Sequence, residues 1–175
     1  MNIKIIIFIL MSILFIYRSR KSLFNIYSHG FYRFFAFEVI LILILLNSDF
    51  WLNNAFSPVQ IISWILLTFS GILVIYGFFL LKKTGKPQKD IENTTQLVTT
   101  GIYKYLRHPL YASLLYLSWG AFLKNVSMLT IELISIITIF LWITSKTEEK
   151  ENIKKFGSEY IEYMKKSKMF VPFVY

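Results

Sequence analysis

The sequence predicts an all-α integral membrane protein, a bundle of about five transmembrane helices with a C-terminal amphipathic helix on the cytoplasmic side. Hydrophobic residues make up 55% of the 175, mean hydropathy is +0.55, and charged residues reach only 17%, outside ordinary soluble composition. Apolar runs approach the roughly 20 helical residues needed to cross a bilayer. Lysine and arginine alternate between rich and poor loops, as the positive-inside rule requires. The formal charge of +9 therefore reflects cytoplasmic loops rather than a nucleic-acid surface. With no cysteine and only His29 and His108, disulfides, thiolate metal sites and a histidine-rich metal centre are not expected.

The first apolar run is Ile3 to Tyr17. It resembles a signal peptide, but Arg18, Ser19 and Arg20 follow in place of a small-residue cleavage site, so an uncleaved first span is expected. A basic connector, 18 to 33, leads to the second run, Phe34 to Leu46, which is extended by Phe31 and Tyr32 and contains Glu38. Asn47 to Pro58 has no lysine or arginine, and Trp51 and Phe56 suit an interfacial belt on the outer side. Val59 to Leu81 is 23 residues without a charge and ends at Lys82 and Lys83. Gly71 and Gly77 within it permit close helix approach.

A polar segment, Lys82 to Leu106, precedes the fourth run, Pro109 to Leu123. Proline at its head suits the first position of a helix. Lys124 and Asn125 separate this from the fifth run, Val126 to Thr144, which contains Glu132. A charged helix over Lys146 to Lys168 and an apolar tail, Met169 to Tyr175, complete the chain. Lysine plus arginine number four in 18–33, none in 47–58, six in 82–107, one at 124 and seven in 146–168. With five spans this places the N-terminus outside and the C-terminus inside. The whole chain, 1–175, is expected to be a single domain with its chemistry in 96–175.

That chemistry gathers at the mouth of the fourth run, QLVTTGIYKYLRHPLYASLLYLSWGAFL at 96–123. Gly101 allows a sharp backbone turn. Pro109 leaves His108 beside a helix N-terminus, whose free amides favour an anion. Arg107 adds a planar fork for a carboxylate or phosphate. Tyr111 shares a face with Arg107 and His108, and Tyr103 and Tyr105 offer stacking surfaces. Such a mouth suits an amphiphilic ligand with an anionic group and a ring. A plainer reading also fits these residues: positive-inside cations and interfacial tyrosines before a proline-started helix.

In the charged helix, Phe156, Tyr160, Tyr163 and Met164 recur at helical spacing, giving one face to the membrane or bundle and leaving the lysines in water. Glu148 and Glu149 at its start fall on the side of Arg107. They are placed to bind hydroxyl or ammonium groups, or to balance Arg107.

The two stretches LVTTGIYKYLRHPLY (97–111) and EEKENIKKFGSEYIEYMKK (148–166), with the closing FVPFVY, resemble the isoprenylcysteine carboxyl methyltransferase and phospholipid methyltransferase family of integral membrane enzymes. The ordered pair carries the likeness; the first three runs match only in being apolar. The resemblance implies an S-adenosylmethionine-dependent methyltransferase acting on a lipid-like acceptor. It assigns Tyr103, His108, Pro109, Tyr111, Glu148 and Glu149 to the cofactor, and Arg107 with Glu149 to the reaction, with no metal. The family usually has histidine where Gln96 stands, glycine where Ser113 stands and often an apolar residue where Asn152 stands. No G-x-G sequence of the soluble dinucleotide-binding type is present. Two other readings are a membrane reductase of the sterol or steroid type, with Lys82 to Lys89 receiving the 2′-phosphate of NADPH, and a non-catalytic membrane scaffold.

Overall fold

A computed structural model describes residues 3–88 and 94–172. Lys89, which the NADPH reading uses, and 173–175 of the closing FVPFVY lie outside the described residues. The protein is all-α, with helices α1 (Ile3–Ser19), α2 (His29–Asn47), α3 (Pro58–Thr84), α4 (Pro109–Phe122), α5 (Met128–Phe156) and α6 (Ser158–Lys166). Short 3-10 turns occupy Ser48–Phe50 and Gly101–Lys104.

The expectation of about five transmembrane helices is corrected. Among the described residues three helical stretches are long and apolar enough to cross a membrane: His29–Phe50, Pro58–Thr84 and Met128–Phe156. These make the chain a multi-pass membrane protein. Helix α1 has 17 residues and α4 has 14. At 1.5 Å per residue they reach about 26 and 21 Å, short of a hydrocarbon core of about 30 Å. The charged region is also divided differently. Helix α5 continues from the apolar run through Phe156, and Gly157 breaks it with φ +59, a conformation open to glycine at little cost. The separate amphipathic helix is only the nine residues of α6.

Local signals account for the helix starts. Ser28 caps α2, its Oγ accepting from Gly30 N at 3.2 Å. Ser57 Oγ accepts from Gln60 N at 3.4 Å ahead of Pro58. At α5, Ser127 Oγ accepts from Thr130 N at 3.3 Å while Thr130 Oγ1 accepts from Ser127 N at 2.8 Å, a reciprocal cap.

The chain divides into two compact units. The first comprises Met1–Leu67 and Leu117–Glu148. Its apolar core includes Ala36, Leu43, Ile137 and Leu141, with Phe35 stacked on Phe140 at 5.7 Å. Glu38, the acid inside the second run, accepts from Ser12 Oγ at 2.7 Å and so joins α2 to α1. Polar side chains bind the backbone at the end of α4: Asn47 Nδ2 donates to Ala121 O at 2.8 Å, Gln60 Nε2 to Leu123 O at 3.1 Å and Ser63 Oγ to Gly120 O at 2.7 Å. Lys124 is buried with its ammonium 3.4 Å from the Trp64 ring centre, a desolvated cation–π contact. Ser63→Ala is expected to lower stability by about 1 kcal/mol, checked by thermal unfolding in detergent.

The second unit comprises Thr68–Tyr116 and Glu149–Tyr175. Within it α4 lies along α3. Ser70 Oγ donates to Ser113 O at 2.7 Å, and Phe69 meets Tyr116 edge-on at 5.1 Å. A Cβ on Gly77 would be 3.4 Å from Pro109 Cγ, whereas one on Gly71 would meet nothing within 4 Å. Of the two glycines expected to admit a neighbour in α3, Gly77 does so.

Candidate functional site

The second unit assembles most of the mouth residues around one buried carboxylate. Gly101 makes the turn that starts the segment, with φ +60, and a Cβ there would fall 2.6 Å from Leu80 Cδ1 and 3.1 Å from the Tyr76 hydroxyl. Gly101→Ala is expected to cost about 1–3 kcal/mol, seen as a lowered unfolding temperature. The turn delivers Tyr103 into the core, where its hydroxyl donates to Gly77 O at 3.4 Å. Arg107 and His108 then lead directly into Pro109, the first residue of α4.

Arg107 Nε donates to Glu149 Oε1 at 2.8 Å, and His108 Nε2 lies 3.6 Å from the same oxygen. The side chains of Arg107, His108 and Glu149 are 10%, 2% and 3% exposed. Arg107 Nη1 also donates to Met164 O at 3.2 Å and to Ser167 O, so the guanidinium joins α5 to the C-terminal end of α6. Its charge suits carbonyls left open at a helix C-terminus. The His108 and Tyr111 rings stack with centres 5.7 Å apart. Pro109 is fully buried. Glu149 thus balances Arg107, one of the two uses foreseen for the carboxylate pair. Glu148, one residue earlier in α5, is counted with the first unit.

Three features of the site have no side-chain signature in the sequence. The first is a short parallel pairing of the tail with the mouth: Arg107 N donates to Lys168 O at 2.7 Å and Lys168 N to Tyr105 O at 2.9 Å, around the bridge between Leu106 and Lys168. The second is Tyr163, whose buried hydroxyl donates to Tyr103 O at 2.6 Å. Burial pushes its pKa up, which keeps it a donor. Helical spacing placed Tyr163 on a face turned to the membrane or the bundle but gave its hydroxyl no partner. The third is a cleft of about 760 Å³ along α6, with Leu97, Thr99, Lys104 and Tyr105 on one side and Glu162 and Lys166 on the other.

Two of the three departures noted in the sequence, Ser113 and Gln96, are accommodated. Ser113 is buried against α3 and turns its hydroxyl back to Leu110 O at 2.6 Å, so its extra atoms are absorbed within α4. Gln96 is exposed, and its backbone amide donates to Gly85 O at 3.2 Å.

Fold and site together define a helical membrane protein with a buried ionic cluster where a proline-headed helix meets the end of a long apolar one. Residues 59–159 match the phospholipid methyltransferase family, and the chain belongs to that family. It is similar to the human protein-S-isoprenylcysteine O-methyltransferase, 30% identical over 142 residues covering 72% of this chain and 48% of the relative. The mouse protein of the same name is 29% identical with the same two coverages. A methanethiol S-methyltransferase from Crocosphaera subtropica is 26% identical over 115 residues, covering 65% of this chain and 44% of the relative. The chain spans about half the length of the curated relatives it matches.

Proposed function

We propose that the protein transfers the methyl group of S-adenosylmethionine to a lipid-like acceptor at the cytoplasmic face of the membrane. The observation that carries this reading is the buried Arg107–Glu149–His108 cluster within a family of methyltransferases. The residues present fit the cofactor's groups. Glu149 is a buried carboxylate for its ammonium or ribose, the stacked His108 and Tyr111 give an aromatic surface, and the first amides of α4 favour its carboxylate. Tyr103 and Pro109 complete the walls on this reading, with Glu148 beside Glu149.

The cofactor supplies a methyl group on a sulfonium sulfur, already activated for displacement. What falls to the chain is alignment, exclusion of water and charge. Glu149 orients Arg107 through Nε, and Nη1 is engaged by α6. Among the described residues Nη2 makes no hydrogen bond, and this edge of the guanidinium is assigned to an anionic group of the acceptor. The burial of Arg107, His108 and Glu149 keeps water from competing.

Charge distribution supports the cytoplasmic assignment. The mouth segment 82–107 carries six lysines and arginines, 146–168 carries seven, and 47–58 carries none. Lys4 pairs with Asp49 at 2.6 Å, which joins the start of α1 to the basic-poor loop. Incubation of the protein in nanodiscs with labelled S-adenosylmethionine and a membrane lipid extract tests the proposal. Label is expected in an extractable lipid-like product. Cofactor binding with no transfer to any lipid fraction would overturn the lipid acceptor, and transfer to a small thiol instead would replace it.

A further inference from the structure

We propose that residues 158–172 form a strap over the Glu149 site, hinged at Gly157 and latched by Arg107, and that the strap must swing open for ligand exchange. This rests on the methyltransferase reading only for the identity of the ligand. The starting observation is burial. With Arg107, His108 and Glu149 at 10% exposure or less, no ligand of the size of a nucleoside reaches the carboxylate while α6 stays where it is. The conformation is closed, with Glu149 already engaged by Arg107.

The hinge is built into the backbone. Gly157 separates α5 from α6 at φ +59, and a Cβ built on it would meet nothing within 4 Å. The residue is a glycine for its dihedral angles alone, since no neighbour crowds it. A rotation there moves α6 without breaking packing at the pivot.

The latch lies at the other end. Arg107 Nη1 holds Met164 O and Ser167 O, the Leu106–Lys168 pairing carries the chain onward, and Tyr163 donates to Tyr103 O. Between hinge and latch α6 is buried at Tyr160 and Tyr163 and exposed at Glu159, Ile161 and Glu162. The cleft of about 760 Å³ separates its Glu162 and Lys166 from Lys104 and Tyr105. A segment held at one end by polar contacts and pivoting on an uncrowded glycine is arranged to move as a unit. Because the guanidinium that latches α6 also holds Glu149, a ligand that takes either partner from Arg107 weakens the latch. Arg107 is then a positioning residue as well as a contact for the acceptor.

The chain has no cysteine, so two introduced thiols are unambiguous probes. Lys104→Cys and Glu162→Cys place them on facing walls of the cleft, on exposed residues. Spin labels on this pair in nanodiscs are expected to give a short principal distance, and adding Arg107→Ala is expected to shift the population to longer distances. A distribution unchanged by Arg107→Ala overturns the latch, whatever the ligand proves to be. Bridging the two thiols with a cleavable bismaleimide is expected to slow release of the demethylated cofactor at least tenfold, with recovery after cleavage and no slowing in either singly labelled variant. Release at the unbridged rate overturns the strap. If the unbridged protein binds no S-adenosylmethionine, the methyltransferase reading fails, and the distance measurement still decides for or against the strap.

Discussion

Glu149→Gln is expected to lower methyl transfer by about 100-fold to 1,000-fold, the range seen when one preorganised charged or hydrogen-bonding group is removed from a reaction site. Glutamine keeps the size of the side chain and an oxygen to accept from Arg107 Nε, now 2.8 Å away. It removes the negative charge that faces Arg107. The cofactor's cationic part loses its counter-charge, and the Arg107 fork loses the partner that orients it. Rates with labelled cofactor, measured against its concentration, separate the two effects. A raised KM reports lost cofactor binding, and a lowered kcat reports lost alignment. Activity within threefold of the parent protein would remove Glu149 from the site.

The second large effect is on stability. Arg107→Ala leaves Glu149 buried at 3% exposure without its closest cation, and removes the donors to Met164 O and Ser167 O. Breaking one side of a buried ion pair costs about 3–5 kcal/mol. The loss is expected as a lower unfolding temperature in detergent and as faster proteolysis within 158–172. Because the cost comes from a stranded carboxylate, Arg107→Ala combined with Glu149→Ala is expected to be less destabilised than the sum of the single changes. Additive losses would mean that the two residues act independently.

The features legible in the sequence were those written in side chains at short range. Pro109 announced the start of α4, the Arg-His-Pro sequence and the glutamate pair announced an ionic site, and apolar runs announced a helical membrane protein. The number of spans was not legible in the same way. Apolar composition identifies a stretch as buried in hydrocarbon or protein, but length decides whether it crosses, and the 14 residues of α4 fall short where Pro109 and the Lys124 turn bound them. The charged region read as one helix because its spacing continues across Gly157, and only the positive φ there shows the break.

The site was partly hidden for a different reason. Balancing Arg107 was one of two uses that charge suggested for the Glu148 and Glu149 pair, the other being to bind hydroxyl or ammonium groups. The other ligands of Arg107, Met164 O and Ser167 O, are backbone carbonyls, which every residue carries and no sequence pattern marks. The pairing of Leu106 with Lys168 is hidden likewise. Such contacts distinguish a tail that merely follows α5 from one that returns to close the mouth.

On the proposed function, the buried Arg107–Glu149–His108 cluster serves a methyl-donor site. Calorimetric titration of the full chain in nanodiscs tests it most directly, with S-adenosylmethionine, its demethylated product and NADPH added in separate runs. Saturable binding of the first two, weakened at least tenfold by Glu149→Gln, with no heat from NADPH, is the predicted result. A well-folded protein that binds neither S-adenosylmethionine nor its product, or that binds NADPH in their place, would contradict it.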